Sequence, residues 1–394
     1  MDLRQAKERV AAEVEGRRER LIEISRAIHE RPELLYEEHF AADLLATELE
    51  QAGLPVERMA YGMDTAFSAT AGNDHAPGPT VAVLCEYDAL PGIGHGCGHN
   101  LIAAMGLGAG LAAAAVAAEA GGRLVVLGTP AEEGGGGKIR LLEAGAFVGV
   151  DAAMMAHPAG VDRADSNVVA IATWRVEYEG VGAHAAAAPE RGRNALDAAV
   201  LGYNAVAALR QHIADEERVH GIFVEAGRKP NIVPSRTVAE WYVRSRTLDS
   251  LQVLKERVRA CLEAGAAAAG CGITITPTCP EYSELRSNEP LLELYRANSE
   301  AVGRPVPHLA PGERITISTD MGNVSLACPS IHPMVAVSPP DVALHTAEFA
   351  EWAASPQGER AVVEAATAMA MTAVDVWMQP EAAREIRAAF AAGP

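Results

Sequence analysis

The chain has 394 residues, 49% of them hydrophobic, and a formal net charge of −19. That length calls for two or three domains with full-sized cores. The charge argues against a nucleic-acid partner, which needs a basic face, but local arginines leave small anionic substrates open.

In chain order, residues 1–58 read as two helices, separated near HERPELLYEE and closed by the glycine of QAGLPVE. The charged start MDLRQAKERV has no apolar h-region or cleavage signal. The six cysteines, Cys85, Cys97, Cys261, Cys271, Cys279 and Cys328, are too dispersed for a disulfide framework. Reduced thiols in a cytoplasmic protein are expected. TVAVLC (80–85) is a strand running into a Pro/Gly turn. After GHGCGHN comes LIAAMGLGAGLAAAAVAA (101–118), long enough to span a bilayer. Ala and Gly dominate it and aromatic anchors are missing, so a helix buried on all sides is expected, with no membrane partner.

GRLVVLG supplies a second strand at 123–128 before the acidic, glycine-rich turn TPAEEGGGGK, and DAAMMAHPAG is a third strand-like run ending in His157. Strands alternating with helices predict an α/β fold whose mostly parallel sheet is covered by helices. In such sheets, sites gather beyond the carboxyl ends of strands. From 168 the pattern changes to strand, helix, strand, strand, helix, strand, the order of a ferredoxin-like α+β unit. After Tyr282 the helix/strand alternation returns. A discontinuous domain (1–167 plus 283–394) with an inserted domain (168–282) is therefore expected.

Cys97 and His99, two apart on a strand-to-helix loop, can aim at one point. Thiolate and imidazole suit zinc, and imidazole also suits manganese or cobalt. A buried thiol beside a solvated histidine is the alternative. Glu132 and Glu133 follow the second strand. A carboxylate that binds metal beside one that moves a proton explains the pair, and so does a charged surface turn. GGGGK does not complete a phosphate loop, because Ile139 follows Lys138. His157 at a strand end and His345 before a helix are each weak alone. Together these residues offer five donors at successive strand ends, which suits two ions better than one. Arg244 and Arg246 alternate along one strand and share a face, either as a carboxylate fork or as a solvated surface. His184 and Asn231 lie beside turns of the inserted domain.

GHGCGHN, TPAEEGGGGK, AHP, EGVGAHAAAAPERGRNALDA, NIVPSRTVAEWYVR and HTAEF resemble, in order and spacing, the co-catalytic metallopeptidases. That family includes aminoacylases, glutamate-releasing carboxypeptidases and dipeptidases. The Cys-Gly-His form, CEYDALPGIGHGCGHN and STDMGNVS resemble its amidohydrolase branch, with aminobenzoyl-glutamate hydrolase and indole-acetyl-amino-acid hydrolases. The resemblance implies one or two divalent ions, with zinc favoured over manganese or cobalt, on Cys97, His99, Glu133, His157 and His345. It implies Glu132 as general base and acid, His184 as a holder of the oxyanion, and Asn231 and Arg244 as substrate contacts. It further implies a homodimer through the inserted domain, which also serves as a lid. The family's His-X-Asp is absent at the first strand end. CEYDALP stands there, so Asp88 is expected to orient a ligand from behind. Asp320 and His332 are placed near the pocket without a direct role.

The expected activity is hydrolysis of a small amide: an N-acyl amino acid, an aminobenzoyl-glutamate-like conjugate or a dipeptide. A deaminase of aromatic amines and a non-catalytic ligand-binding relative are the alternatives. The intact Glu132–Glu133 pair argues against the latter.

Overall fold

The computed structural model describes residues 1–72, 78–310 and 316–393. Its contacts divide the chain into two compact units, Met1–Asn167 with Leu285–Pro394, and Val168–Glu284. The expected second boundary lay between 282 and 283. The inserted unit runs on through Glu284, whose carboxylate accepts the Leu248 N–H at 2.9 Å.

The first unit opens with three helices rather than two: α1 (Leu3–Gly16), α2 (Arg18–Glu30) and α3 (His39–Gln51). The extra break falls at Arg17, directly after Gly16, where φ −107 and ψ 3 leave the helical region. The strands β1 (Val56–Arg58) and β2 (Phe67–Gly72), missing from the sequence reading, precede β3 (Thr80–Cys85). Then come α4 (His99–Ala120), β4 (Arg123–Gly128) and α5 (Gly137–Glu143). The expected third strand is two: β5 (Ala152–Met154) and β6 (His157–Ala159).

The second unit comprises β7 (Ala170–Glu179), α6 (Ala195–Leu209), β8 (Arg218–Glu225), β9 (Arg236–Ser245), α7 (Leu248–Ala269) and β10 (Gly272–Pro277). Its sheet has the order β10-β7-β9-β8, antiparallel throughout. This is the ferredoxin-like arrangement. Along β7, Trp174, Val176 and Tyr178 point into a core shared with Leu251, Leu254, Val258 and Leu262 of α7. The interposed Arg175 and Glu177 are partly exposed, which is the period-2 alternation of a half-buried strand.

The chain returns to the first unit at Leu285 with the helix Glu289–Ala301, followed by β11 (Ser330–Ile331), β12 (Met334–Ala336) and the long helix Pro356–Met378. The main sheet has the order β1-β2-β4-β3-β5-β11. From β4 to β11 it is parallel, and β1 and β2 extend it antiparallel. Val81, Val83 and Cys85 of β3 face one hydrophobic cluster, while Ala82 and Leu84 face another. Both faces are thus covered, as a parallel sheet requires.

α4 explains the Ala/Gly run. It meets the length and hydropathy of a membrane span, yet 83% of its apolar window is buried within the protein. A Cβ on Gly106 would lie 2.4 Å from the Leu84 carbonyl oxygen, and one on Gly110 2.5 Å from Val126 Cγ2. Small residues let α4 lie against the sheet and bring its first residue, His99, to the end of β3.

Candidate metal centre

β3 ends at Cys85, and the chain then crosses Glu86 and Asp88 before turning back to start α4. Gly98, between Cys97 and His99, has φ +78, and a Cβ there would lie 2.9 Å from Pro158 Cγ. Only glycine fits this left-handed close approach. His99 Nδ1–H donates to Asp88 Oδ1 at 2.9 Å. The other oxygen, Asp88 Oδ2, accepts the Glu133 N–H at 2.9 Å. One buried carboxylate therefore fixes the orientation of His99 and the start of the acidic turn.

β4 delivers that turn. Ala131, with φ +59, sits just before Glu132 and Glu133. β6 delivers His157, whose Nδ1–H donates to the Pro158 carbonyl at 2.7 Å and leaves Nε2 3.5 Å from Cys97 Sγ. His345 also has a left-handed backbone, φ +63, and its N–H donates to the Gly96 carbonyl at 2.8 Å. Its Nε2 lies 3.5 Å from Glu133 Oε1.

The donors form three overlapping sets: Cys97, His99 and His157; Cys97, Glu133 and His345; His99, Glu132 and Glu133. Within each set the donor atoms lie within 4.8 Å of one another. Cys97, His99 and Glu133 each belong to two sets, the layout of adjoining ion sites. The atoms fit a cation. His99 Nε2 and Glu133 Oε1 are buried without a hydrogen-bond partner, 3.8 Å apart.

Electrostatics agree. Burial, then Glu133 and Glu86, push the Glu132 carboxyl well above the usual range. Burial also raises Glu133, with His99 and His345 opposing. Burial, then Glu133, push the Cys97 thiol up. At His99 burial disfavours the charged ring, but Asp88 and Cys97 outweigh it and hold the imidazole well above its ordinary value. His157 is pushed far down by burial, then by His332 and His99. Burial makes the ionised carboxyls and the thiolate costly here, a penalty that a divalent cation relieves.

Two groups lie beside these donors: one escaped the sequence reading, and the other, His332, was expected near the pocket and is found there. Lys138, fully buried on α5, donates to Asp320 Oδ1 at 2.6 Å and pairs with Glu86 Oε1. Its signal was a lysine inside an apolar stretch, GGGGKIRLLEAG, weighed only against a phosphate loop. Burial lifts Asp320 to about 6 even with Lys138 opposing. The second group is His332, buried, with both ring nitrogens unpartnered and its ring centroid 5.2 Å from that of His157.

Replacing Lys138 with Met strands Glu86 and Asp320 and is expected to destabilise the fold by about 3–5 kcal/mol. A carboxyl that holds its proton more tightly when folded loses that stability as pH rises through its folded pKa. The deficit in urea unfolding is therefore expected to be smaller at pH 5.5 than at pH 8.

In the second unit, His184 is exposed and its Nδ1 accepts the Ala187 N–H at 3.2 Å, leaving Nε2–H to donate outward. The Asn231 carbonyl accepts the Ala185 N–H at 3.0 Å, so His184 and Asn231 sit on neighbouring segments. Arg244 lies on β9, half-buried, with its Nε unpartnered and its guanidinium 5.7 Å from the centre of the Tyr242 ring.

An α/β sheet with a Cys/His/carboxylate donor set beyond its strand ends defines a class, the metallohydrolases. Within that class, residues 76–368 match peptidase family M20/M25/M40, and the chain belongs to it. It is a hydrolase of amide or peptide bonds in small substrates. The Xaa-Arg dipeptidase of Mus musculus is 42% identical over 99% of this chain and 93% of its own length. A p-aminobenzoyl-glutamate hydrolase chain of Escherichia coli is 35% identical over 64% of this chain and 56% of its own. Among solved structures, a dinuclear metal-binding M20 peptidase from Bacillus subtilis aligns with TM-score 0.70 at 21% identity, covering 92% of this chain and 99% of that one. The same fold is seen in an aminobenzoyl-glutamate utilization protein from Klebsiella pneumoniae, with TM-score 0.73, 21% identity and coverage of 92% and 97%.

Proposed function

We propose that this chain is a two-metal dipeptidase or N-acyl-amino-acid hydrolase. The observation that carries this reading is the overlap of three donor sets through Cys97, His99 and Glu133. Cys97, His99, Glu133, His157 and His345 are the ligands, and Asp88 orients His99 from behind. The thiolate favours zinc over manganese or cobalt. When bound, the ions supply Lewis acidity toward the amide carbonyl and toward water.

Glu132 takes the proton that water loses on attacking the carbonyl carbon. It returns that proton to the amide nitrogen as the C–N bond breaks, leaving a carboxylic acid and an amine. The outward Nε2–H of His184 is the donor for the carbonyl oxygen as it gains charge. Asn231 and Arg244 bind the substrate, Arg244 through a carboxylate. The high identity to an Xaa-Arg dipeptidase, over almost the whole chain, favours dipeptides ending in a basic residue.

The second unit supports a homodimer. β8 is an edge strand, and on it Ile222 is 65% exposed and Val224 52% exposed. An apolar edge invites pairing with a second copy. Ile222→Glu with Val224→Lys is expected to halve the mass seen by sedimentation equilibrium. The six cysteines, none in a disulfide among the described residues, suit a reducing, cytoplasmic setting.

The test of substrate class is amine release from Xaa-Arg, Xaa-Lys and Xaa-Ala dipeptides, N-acetyl amino acids and aminobenzoyl-glutamate, each with and without a chelator. Chelator-sensitive release from the basic dipeptides is expected. Release from aminobenzoyl-glutamate alone would reject the dipeptide reading.

A further inference from the structure

The turn carrying Glu132 and Glu133 is gripped at both ends by one segment, residues 36–38, between α2 and α3. Glu38 is fully buried. Its Oε1 accepts the Ala131 N–H at 2.8 Å, and its Oε2 accepts the Thr65 hydroxyl at 2.9 Å. Tyr36 Oη donates to the Gly135 carbonyl at 2.6 Å, and the Arg140 guanidinium lies 4.5 Å from the centre of the Tyr36 ring. The two contacts bracket Glu132 and Glu133.

Both sides of the grip are strained. Tyr36 has φ +61 and Ala131 φ +59, a region that residues with a Cβ avoid. The turn is also packed from within: a Cβ on Gly135 would lie 2.6 Å from Ala131 Cβ and 2.9 Å from Tyr36 Cε2. Such strain persists only where its surroundings over-determine it. Here the determinant is the carboxylate that takes the Ala131 N–H.

We propose that Glu38 is a positioning residue: by holding Ala131 left-handed, it aims Glu132 and Glu133 into the metal centre. Glu38 touches neither metal nor substrate and acts through the turn. The inference rests on the reading of Glu132 as base and Glu133 as ligand. It predicts that the hydrogen bond to Ala131, rather than the charge of Glu38, is what matters.

The experiment compares Glu38→Ala, Glu38→Gln, Ala131→Gly and the Glu38→Ala/Ala131→Gly double variant in the full chain. Steady-state kinetics are paired with zinc affinity from chelator competition. Glu38→Ala is expected to lose about 10–100-fold in both kcat and zinc affinity, as removal of an outer partner does, with KM nearly unchanged. Glu38→Gln keeps an acceptor for Ala131 and is expected to retain near wild-type values. Ala131→Gly removes the left-handed penalty and is expected to restore roughly tenfold in the Glu38→Ala background.

A folded Glu38→Ala with unchanged kcat and zinc affinity would overturn the proposal. A loss shared by Glu38→Gln and untouched by Ala131→Gly would also overturn it. Should Glu38→Ala fail to fold, Ala131→Gly alone decides: a raised thermal midpoint with kcat within about twofold supports the strained turn, and a lowered midpoint rejects it. Glu132→Gln serves as the reference. If it stays active, the base assignment fails, while the zinc affinity of Glu38→Ala still reports the hold on Glu133.

Discussion

Replacing Glu132 with Gln is expected to lower kcat by about three powers of ten while metal content stays unchanged. General acid–base catalysis is typically worth ~10²–10⁴-fold, and here one carboxylate serves both proton transfers. Gln has nearly the same shape, so the turn and its neighbour Glu133 keep their places. It accepts no proton from water and has none to return to the leaving nitrogen. Glu132 lies in the set with His99 and Glu133, close enough to meet a water there. Burial and Glu133 raise its proton affinity, which suits a group that must first take a proton and then release it. Metal analysis beside kcat is the check. Near wild-type turnover with metal bound would remove Glu132 from the mechanism, and loss of metal would make it a ligand.

The second large effect is expected at His99. His99→Ala removes a donor from two of the three overlapping sets and leaves Asp88 Oδ1 without its partner. Loss of an outer partner typically lowers metal affinity about 10–100-fold. Removing this shared ligand is expected to exceed that range, so the purified variant retains less than half the wild-type metal and its turnover falls in step. Asp88→Asn is the milder companion: its single oxygen keeps the imidazole N–H while the Glu133 N–H loses its acceptor, and the loss is expected to stay within that range. Equal losses in both variants would contradict the division between ligand and orienting group.

Much of this was legible in the sequence because the signals are local. β3 and β4 are continuous apolar runs, and their ends at Cys85 and Gly128 fall where the pattern stops. The inserted unit was readable from alternation on β7 and from two helical periods. What escaped depended on tertiary context. MMAHP looked like one strand, but the chain leaves the main sheet after Met154 and pairs anew at His157 with β12. That step is what brings His157 to Cys97. FSATAG became a strand only because β4 offers an antiparallel edge for it.

The donor set was visible as residue types in suggestive places, but its supports were not. Glu38 looked like part of a helix break, and only folding brings it to the Ala131 N–H. Lys138 was weighed only as the end of a phosphate loop, yet it is fully buried between Glu86 and Asp320. Groups that hold a site in place are chosen by three-dimensional proximity, and their chain separation leaves no periodic trace.

The most direct test of the central claim is a metal titration followed by amine release. Purified protein is stripped with a chelator, and zinc is added back in known equivalents per chain while hydrolysis of a basic dipeptide is measured. Stripped protein is expected to be inactive, with activity returning over the first two equivalents. Full turnover by metal-free protein would contradict that claim.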